Sequence, residues 1–406
     1  MDLREKRDEL LKFDLCDRCL GRQFAMLGHG LENYERGDIA RSVDDLTKES
    51  FVAENVGKAE PSGEDCPLCA GLFEDLDNYV EMVVETLERY DINTVLVGTR
   101  LPERVERVEA EIWEKCGKSM TEPTKTELNR LVGREVQNRL GLEADFERPD
   151  INSVLDLRKD RVELQVNSSH FYGKYNKYVR GIPQTVWYCK ECGGRGCESC
   201  DHTGKRYKES VQEIIQKPFL EAADASEATF HGGGREDIDA RCFGRREFVL
   251  ELHHPRKRNI PVERIEKELN ETQAKVELFS VMEAGKKRVE EVKKKKADKI
   301  YRALVKLTGD IGAAQLKKIA EIRGEIKQRT PKRVVHRRAD RVRKRKVHWI
   351  RVEEACRGLL DVTVKAEAGT YIKELISGDD ERTNPSVAGK LGCEARCEKL
   401  DVLDID

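Results

Sequence analysis

The chain has 406 residues, 37% of them charged and 6% aromatic, with a formal net charge of −2. That length supports two or three cores, and the near-neutral balance excludes nucleic-acid binding by a global cationic excess, so such binding must come from local basic patches. No apolar run approaches the roughly 20 residues of a membrane span and the first residues form no signal peptide, which predicts a soluble cytoplasmic protein with no membrane partner.

A charged helix is predicted over residues 3 to 12, leading into Cys16-Asp17-Arg18-Cys19; a matching turn, Cys66-Pro67-Leu68-Cys69, follows far downstream. Eight of the 13 cysteines fall into four C-x-x-C turns of this kind. Each turn delivers two thiolates with little strain, and two turns complete a tetrahedral zinc site. A disulfide scaffold belongs to short secreted chains, and a redox C-x-x-C needs a βαβ setting that is missing here. The segment 1–76 is therefore read as zinc-binding through Cys16, Cys19, Cys66 and Cys69. Cys116, Cys242, Cys356, Cys393 and Cys397 are read as small buried hydrophobes without a function.

From residue 77 the apolar spacing changes. It predicts a helix over Tyr79–Leu87, a strand over Thr94–Gly98 and an amphipathic helix over Thr124–Leu140. Two strands, Val154–Leu157 and Val162–Val166, are expected to meet across a charged turn, giving an α+β domain over 77–182. At its close Tyr172, Lys174, Tyr175, Lys177, Tyr178 and Arg180 interleave rings with cations, which suits stacking on unpaired bases and holding phosphates. Tyr175 and Arg180 are the candidate RNA contacts there. The competing reading is a tyrosine-rich strand along which lysine stems lie.

Within 183–208, Cys189, Cys192, Cys197 and Cys200 form two further C-x-x-C turns separated by glycines that permit a tight reversal, which predicts a second zinc knuckle serving either rigidity or an RNA contact. Its wording is similar to the zinc repeats of DnaJ-type chaperones, but the J domain's His-Pro-Asp is missing.

The segment 209–406 opens with Ile214–Phe219 and continues to Gly232-Gly233-Gly234-Arg235-Glu236-Asp237, read as a loop feeding a strand at Phe248–Leu252. No Gly-Lys-Ser/Thr follows, so this is no P-loop. A helix is expected over Val262–Leu269, and a charged helix or hairpin tip over 286–296. Residues 329–346 hold ten Lys or Arg against one Asp, a local patch suited to phosphates, with Arg329, Arg337 and Arg338 as candidates.

Three stretches carry a family resemblance. Gly234-Arg235-Glu236-Asp237, extended by Asp239, Arg241 and Gly244, resembles the G-R-x-D signature of pseudouridine synthases, and in its longer form the tRNA pseudouridine synthases of the TΨC arm in archaea and eukaryotes. Lys299-Ile300-Tyr301-Arg302-Ala303-Leu304-Val305 and Gly369-Thr370-Tyr371-Ile372-Lys373-Glu374-Leu375 resemble the family's second and third motifs, in the right order. Gln328-Arg329-Thr330-Pro331 also shares family wording. The resemblance implies that Asp237 is the nucleophile, Tyr301 packs on the target base and Lys373 pairs with the aspartate. Arg235 would fill the gap left by the extruded uridine, with Tyr371 a further RNA contact. It implies a multidomain α+β chain whose catalytic domain has a mixed, largely antiparallel sheet with flanking helices.

The implied reaction isomerises uridine 54 and/or 55 of the TΨC loop and requires no cofactor. Arg148-Pro149-Asp150-Ile151, Asp156-Leu157 and the stretch from His170 to Tyr175 resemble a THUMP domain, an RNA-binding module that grips the tRNA acceptor end. The alternative is a non-catalytic, zinc-containing tRNA-binding protein. A THUMP-bearing methyltransferase or sulfurtransferase would need a glycine-rich nucleotide fingerprint, which is not visible.

Overall fold

The computed structural model describes residues 2–58, 63, 65–309, 311–356 and 358–406, without the side chains of 337, 354 and 355. It divides into two units, Met1–Asn167 with His254–Asn259, and Ser168–His253 with Ile260–Asp406.

In the first unit, Asp2 starts the helix Leu3–Leu11 by accepting from the backbone of Glu5, whose side chain reaches back to Asp2. Helices follow at Asp17–Gly21, Asn33–Ser42, Leu76–Leu87, Glu103–Cys116 and Thr124–Leu140. The last stops at Gly141, which takes the left-handed conformation (φ +66°) that ends many helices. Strand β1 (Val95–Arg100) pairs in parallel with β2 (Ile151–Asp156), which pairs antiparallel with β3 (Arg161–Val166). The predicted elements of this region are present. Glu103–Cys116, which the apolar spacing had not announced, is a helix that buries only Val105, Glu109, Ile112 and Cys116, a single narrow stripe. One continuous core runs from Leu10 to Leu155, so the cysteine-bearing segment 1–76 shares its interior with the α+β region that follows.

The second unit holds β4 (Ser169–Lys177), β5 (Glu227–Gly232), β6 (Arg241–His253), β7 (Val276–Ala284), β8 (Lys299–Leu307), β9 (Gly324–Arg329), β10 (Val342–Cys356), β11 (Leu359–Ala366), β12 (Thr383–Asn384) and β13 (Ala395–Ile405). They form one sheet in the order β12-β9-β10-β11-β8-β13-β6-β4-β7, with β5 also on β6. Every pairing is antiparallel except the short parallel step between β13 and β6. Helices Val211–Ala223 and Val262–Thr272 cover one half, while Ile372–Ser377 and Val387–Leu391 cover the other. The stretch 286–296 contains the helix Lys287–Lys294. No helix among the described residues is long and apolar enough to cross a membrane.

Two boundaries differ from the sequence reading. The division between units falls at Asn167, not at 182, because β4 is a central strand of the large sheet, flanked by β6 and β7. The strand expected over 248–252 begins at Arg241, because β4 pairs along it from Leu252 back to Cys242. Of the five remaining cysteines, Cys116 and Cys242 are buried as expected, whereas Cys393 and Cys397 are half-buried and Cys356, at the end of β10, is exposed. The length of β6 places the site. Its C-terminal half pairs with β5, and its first two residues pair with Asp401 and Val402 of β13. The loop from Gly233 to Ala240 lies where β5 leaves the strand and β13 joins it.

Candidate active site

Consecutive side chains of that loop have opposite fates. Glu236 is buried against Arg246 (2.8 Å) and accepts hydrogen bonds from the Tyr175 hydroxyl (3.0 and 3.1 Å). The fully buried Lys177 ammonium lies 3.8 Å from it and donates to the carbonyls of Asp237 (3.2 Å) and Ile238 (3.3 Å). Gln184 donates to the carbonyl of Gly234 (2.9 Å). A Cβ at Gly232, the last residue of β5, would stand 2.7 Å from the Gln184 amide and push that side chain off the loop carbonyl it holds. With Glu236 anchored inward, Arg235 and Asp237 face the other way, into a cavity of about 290 Å³.

The Asp237 carboxylate sits 3.2 Å from Lys373 Nζ and 3.6 Å from Arg333 Nη1. Lys373 also donates to both oxygens of Asp239 (2.8 and 2.9 Å). Burial works against the Lys373 ammonium, but the hydrogen bond to Asp239 and the charge of Asp237 outweigh it and raise its pKa above the ordinary lysine value. Burial likewise opposes the Asp239 carboxylate, yet Lys373 holds it below its ordinary value. Tyr301 lines the same cavity from β8, one row across the sheet from Val402 and Cys242. Burial pushes its phenol up to about 12, so the hydroxyl stays protonated in the neutral range.

Local structure aims Lys373. The turn Gly369-Thr370-Tyr371 needs Gly369 in the left-handed region (φ +78°). Gln328 of β9 clasps the backbone of Tyr371, accepting from its N–H and donating to its carbonyl (3.0 Å each). The helix Ile372–Ser377 then carries Lys373 back over the loop. Arg333 comes from the short 3-10 helix Lys332–Arg337, where Glu374 (2.6 Å) orients it. The sequence reading named its neighbours and missed it. Pro331 precedes this turn, which sets Arg333 against Glu374 and Asp237 and Arg338 against the Tyr371 hydroxyl, partners that no local motif announces.

The structure thus brings Asp237, Tyr301 and Lys373 together, with Arg235, Arg338 and Tyr371 lining the same cavity. The Arg235 guanidinium lies 5.8 Å from the Trp187 ring, and Arg338 donates to the Tyr371 hydroxyl (2.9 Å). Two candidates are withdrawn. Tyr175 is fully buried under the loop, so no base can stack on it. Arg180 is spent inside the fold, donating to the carbonyls of Asp239 (2.6 Å) and Leu400 (2.8 Å) and pairing with Asp401. The run 329–346 is less bare than its sequence implies. Arg329 pairs with Asp340, Lys332 with Asp380, Arg333 with Glu374, Lys344 with Glu325 and Arg345 with Glu367. Acids distant in sequence neutralise much of it. The Arg337 side chain lies outside the described residues.

Both cysteine sets converge. The Sγ atoms of Cys16, Cys19, Cys66 and Cys69 lie within 4.8 Å of one another, as do those of Cys189, Cys192, Cys197 and Cys200. Backbone N–H groups point at the sulfurs in both, for example Cys19 N to Cys16 Sγ (3.4 Å), Gly196 N to Cys192 Sγ (3.2 Å) and Gly204 N to Cys200 Sγ (3.2 Å). Donors so placed favour thiolates, and four converging sulfurs fit a metal ion.

A family profile described as "Pus10, C-terminal" matches residues 170–406, and one described as "Pus10 THUMP domain, archaeal" matches residues 79–156. Curated relatives named tRNA pseudouridine synthase Pus10 match over nearly the whole chain, three of them as follows. That of Methanothrix thermoacetophila is 39% identical, over 96% of this chain and 91% of its own. That of Methanothermobacter marburgensis is 42% identical over 100% and 99%, and that of Pyrococcus furiosus 36% over 100% and 98%. A solved structure, "Crystal Structure of a Cbf5-Nop10-Gar1 Complex", aligns over 47% of this chain and 44% of its own, with a TM-score of 0.30 and 24% identity, too partial a likeness to bear on the assignment. The two family profiles and the near-full-length relatives together establish that the chain belongs to the Pus10 family of tRNA pseudouridine synthases.

Proposed function

We propose that this chain isomerises uridine to pseudouridine in the TΨC arm of tRNA, at position 54, 55 or both, with Asp237 as nucleophile. The observation that carries the reading is one exposed-edge carboxylate held between two cations, Lys373 at 3.2 Å and Arg333 at 3.6 Å, over a cavity walled by Tyr301. Lys373 and Arg333 hold the carboxylate at the cavity wall, where it can reach the ribose of a nucleotide seated there.

In this reading Asp237 attacks C1′ as the N1–C1′ bond breaks, and the electron pair leaves with the uracil. The freed base turns against the Tyr301 ring. C5 then bonds to C1′, the aspartate departs as carboxylate, and C5 loses its proton while N1 gains one. A target uridine must leave its stack at a cost of a few kcal/mol. Arg235, on the cavity rim, is placed to occupy the vacated space. Residues 79–156, the THUMP-like stretch, would hold the acceptor end. The two cysteine sets would each hold a structural zinc, the ion that four thiolates suit best, with no part in the bond changes.

The test is incubation of the purified chain with an unmodified tRNA transcript and no added cofactor, followed by mapping of pseudouridine. Asp237→Asn should yield no product while binding tRNA nearly as tightly as the wild type, and turnover in that variant would overturn the assignment. Because the Lys373 pKa is raised, the ammonium is fully present below 10.5 and is lost only as pH climbs through its higher folded value. The pH–rate profile should therefore show no alkaline fall dependent on Lys373 below that pH.

A further inference from the structure

Next to the catalytic cavity lies a second one of about 200 Å³, whose wall carries Lys174, Arg245, Lys293, Lys295, Lys296 and Lys299. It shares Gly234, Lys299 and Gly369 with the catalytic cavity, so the two are contiguous across the catalytic loop. The cations come from four places in the sequence, namely β4, β6, the end of the helix Lys287–Lys294 with the residues after it, and the start of β8. The lysine run 293–296 supplies three of the six, and the fold adds Lys174, Arg245 and Lys299 to them.

The charge balance sets this cavity apart from the basic run 329–346. Among its lining residues the sole acid is Glu247, which already pairs with Lys295 (3.2 Å) and accepts from the Tyr172 hydroxyl (2.8 Å). Lys174, Lys293 and Lys296 have no carboxylate within ion-pairing range among the described residues. Two of the three residues shared with the catalytic cavity, Gly234 and Gly369, have no side chain, and the third, Lys299, adds a cation at the border. Six cations gathered in a cleft with one acid make a net positive local field that concentrates polyanions.

We propose that this cavity seats the backbone phosphate of the tRNA strand adjoining the nucleotide held over Asp237. The ligand class is an RNA phosphodiester, and the proposal rests on the reading that Asp237 marks the catalytic cavity. A strand that reaches that cavity from the side of Gly233 and Gly234 carries a neighbouring phosphate past these two glycines, where the lysines stand. The contact fixes the strand's position without reading its sequence.

The experiment measures tRNA affinity by filter binding, over a series of salt concentrations, for the wild type and for the Lys174→Gln, Lys293→Gln, Lys296→Gln triple variant. The variant should bind at least roughly tenfold more weakly at low salt, and its log–log salt slope should be shallower by about one for each phosphate it no longer neutralises. A parallel scan places single uncharged methylphosphonate linkages on either side of the target uridine. The wild type should lose affinity at one linkage, and the triple variant should lose nothing further there. Two outcomes overturn the proposal. One is a wild type indifferent to every flanking linkage, which needs no variant to fold. The other is equal sensitivity of wild type and variant at the linkage that matters. Pseudouridine formation by the wild type is scored separately, so failure of the catalytic reading is distinguishable from failure of this site.

Discussion

The two cysteine sets look alike in sequence and are built for different purposes in the fold. Cys16, Cys19, Cys66 and Cys69 draw two distant segments into the core that runs from Leu10 to Leu155. Arg22, fully buried, donates to Cys19 Sγ (3.0 Å), lies 3.6 Å from the buried Glu127 and stacks 4.9 Å from the Phe73 ring. A four-thiolate site around a divalent ion carries net negative charge, and Arg22 is the cation that lets it sit inside a core. Cys189, Cys192, Cys197 and Cys200 instead form a hydrophobic cluster of their own. Their hairpin is closed by Cys189 N to Gly204 O (2.8 Å) and Arg206 N to Trp187 O (2.8 Å). Trp187 lines a cavity of about 190 Å³ together with Arg235, Asp237 and Lys373. The first set organises a domain, whereas the second is a local brace beside the loop from Gly233 to Ala240.

The largest expected effect follows from that contrast. Structural zinc contributes on the order of 10–16 kcal/mol of apparent folding energy, about as much as a whole domain's net stability. Cys16→Ser should therefore unfold the first unit, seen as loss of hydrogen-exchange protection in the helix Thr124–Leu140. A protected helix in the zinc-free variant would show that the core stands without its metal. Arg22→Met should come next, costing about 3–5 kcal/mol because Glu127 and the thiolates lose a buried counter-charge. Chemical denaturation of the zinc-loaded variant measures it, and an unchanged midpoint would mean that Arg18, 3.0 Å from Glu127, suffices alone.

What could be read beforehand divides along the same physical line. That Asp237, Tyr301 and Lys373 would share one cavity was legible because each sits inside a short motif, and the convergence of both cysteine sets was legible because C-x-x-C spacing is a local property. Glu236, Lys177 and Arg333 were not, since each matters only through partners far away in sequence. Tyr175 was misread for a related reason. Rings alternating with cations describe an RNA-facing strand and a strand buried on both faces equally well, and eight of the nine residues of β4 are buried. The basic run misled in the same way, because the acids that neutralise it, Glu325, Glu367, Glu374 and Asp380, are brought in by other elements.

A smaller effect is expected at the second set. Cys192→Ser should release one equivalent of zinc and shift the thermal midpoint of the intact chain by only a few degrees, since no larger core rests on the knuckle. Turnover on tRNA should nevertheless fall severalfold through displacement of Trp187. Wild-type turnover in the zinc-depleted variant would make the knuckle a structural ornament and remove its half of the comparison.

The smallest effect isolates how that brace would reach the chemistry. Arg235 lies 5.8 Å and Arg206 5.6 Å from the Trp187 ring, within the range where an aromatic face attracts a cation. An exposed contact of this kind is worth about 0.5–1 kcal/mol, so Trp187→Leu should lower single-turnover rate by roughly two- to fivefold. Trp187→Phe, which keeps a ring of weaker quadrupole, should recover part of the loss. In an Arg235→Ala background the Trp187→Leu change should add nothing, because the group it positions is gone. Full additivity of the two substitutions would mean that the ring and the arginine act separately. The knuckle would then support the fold near the loop without setting the position of Arg235.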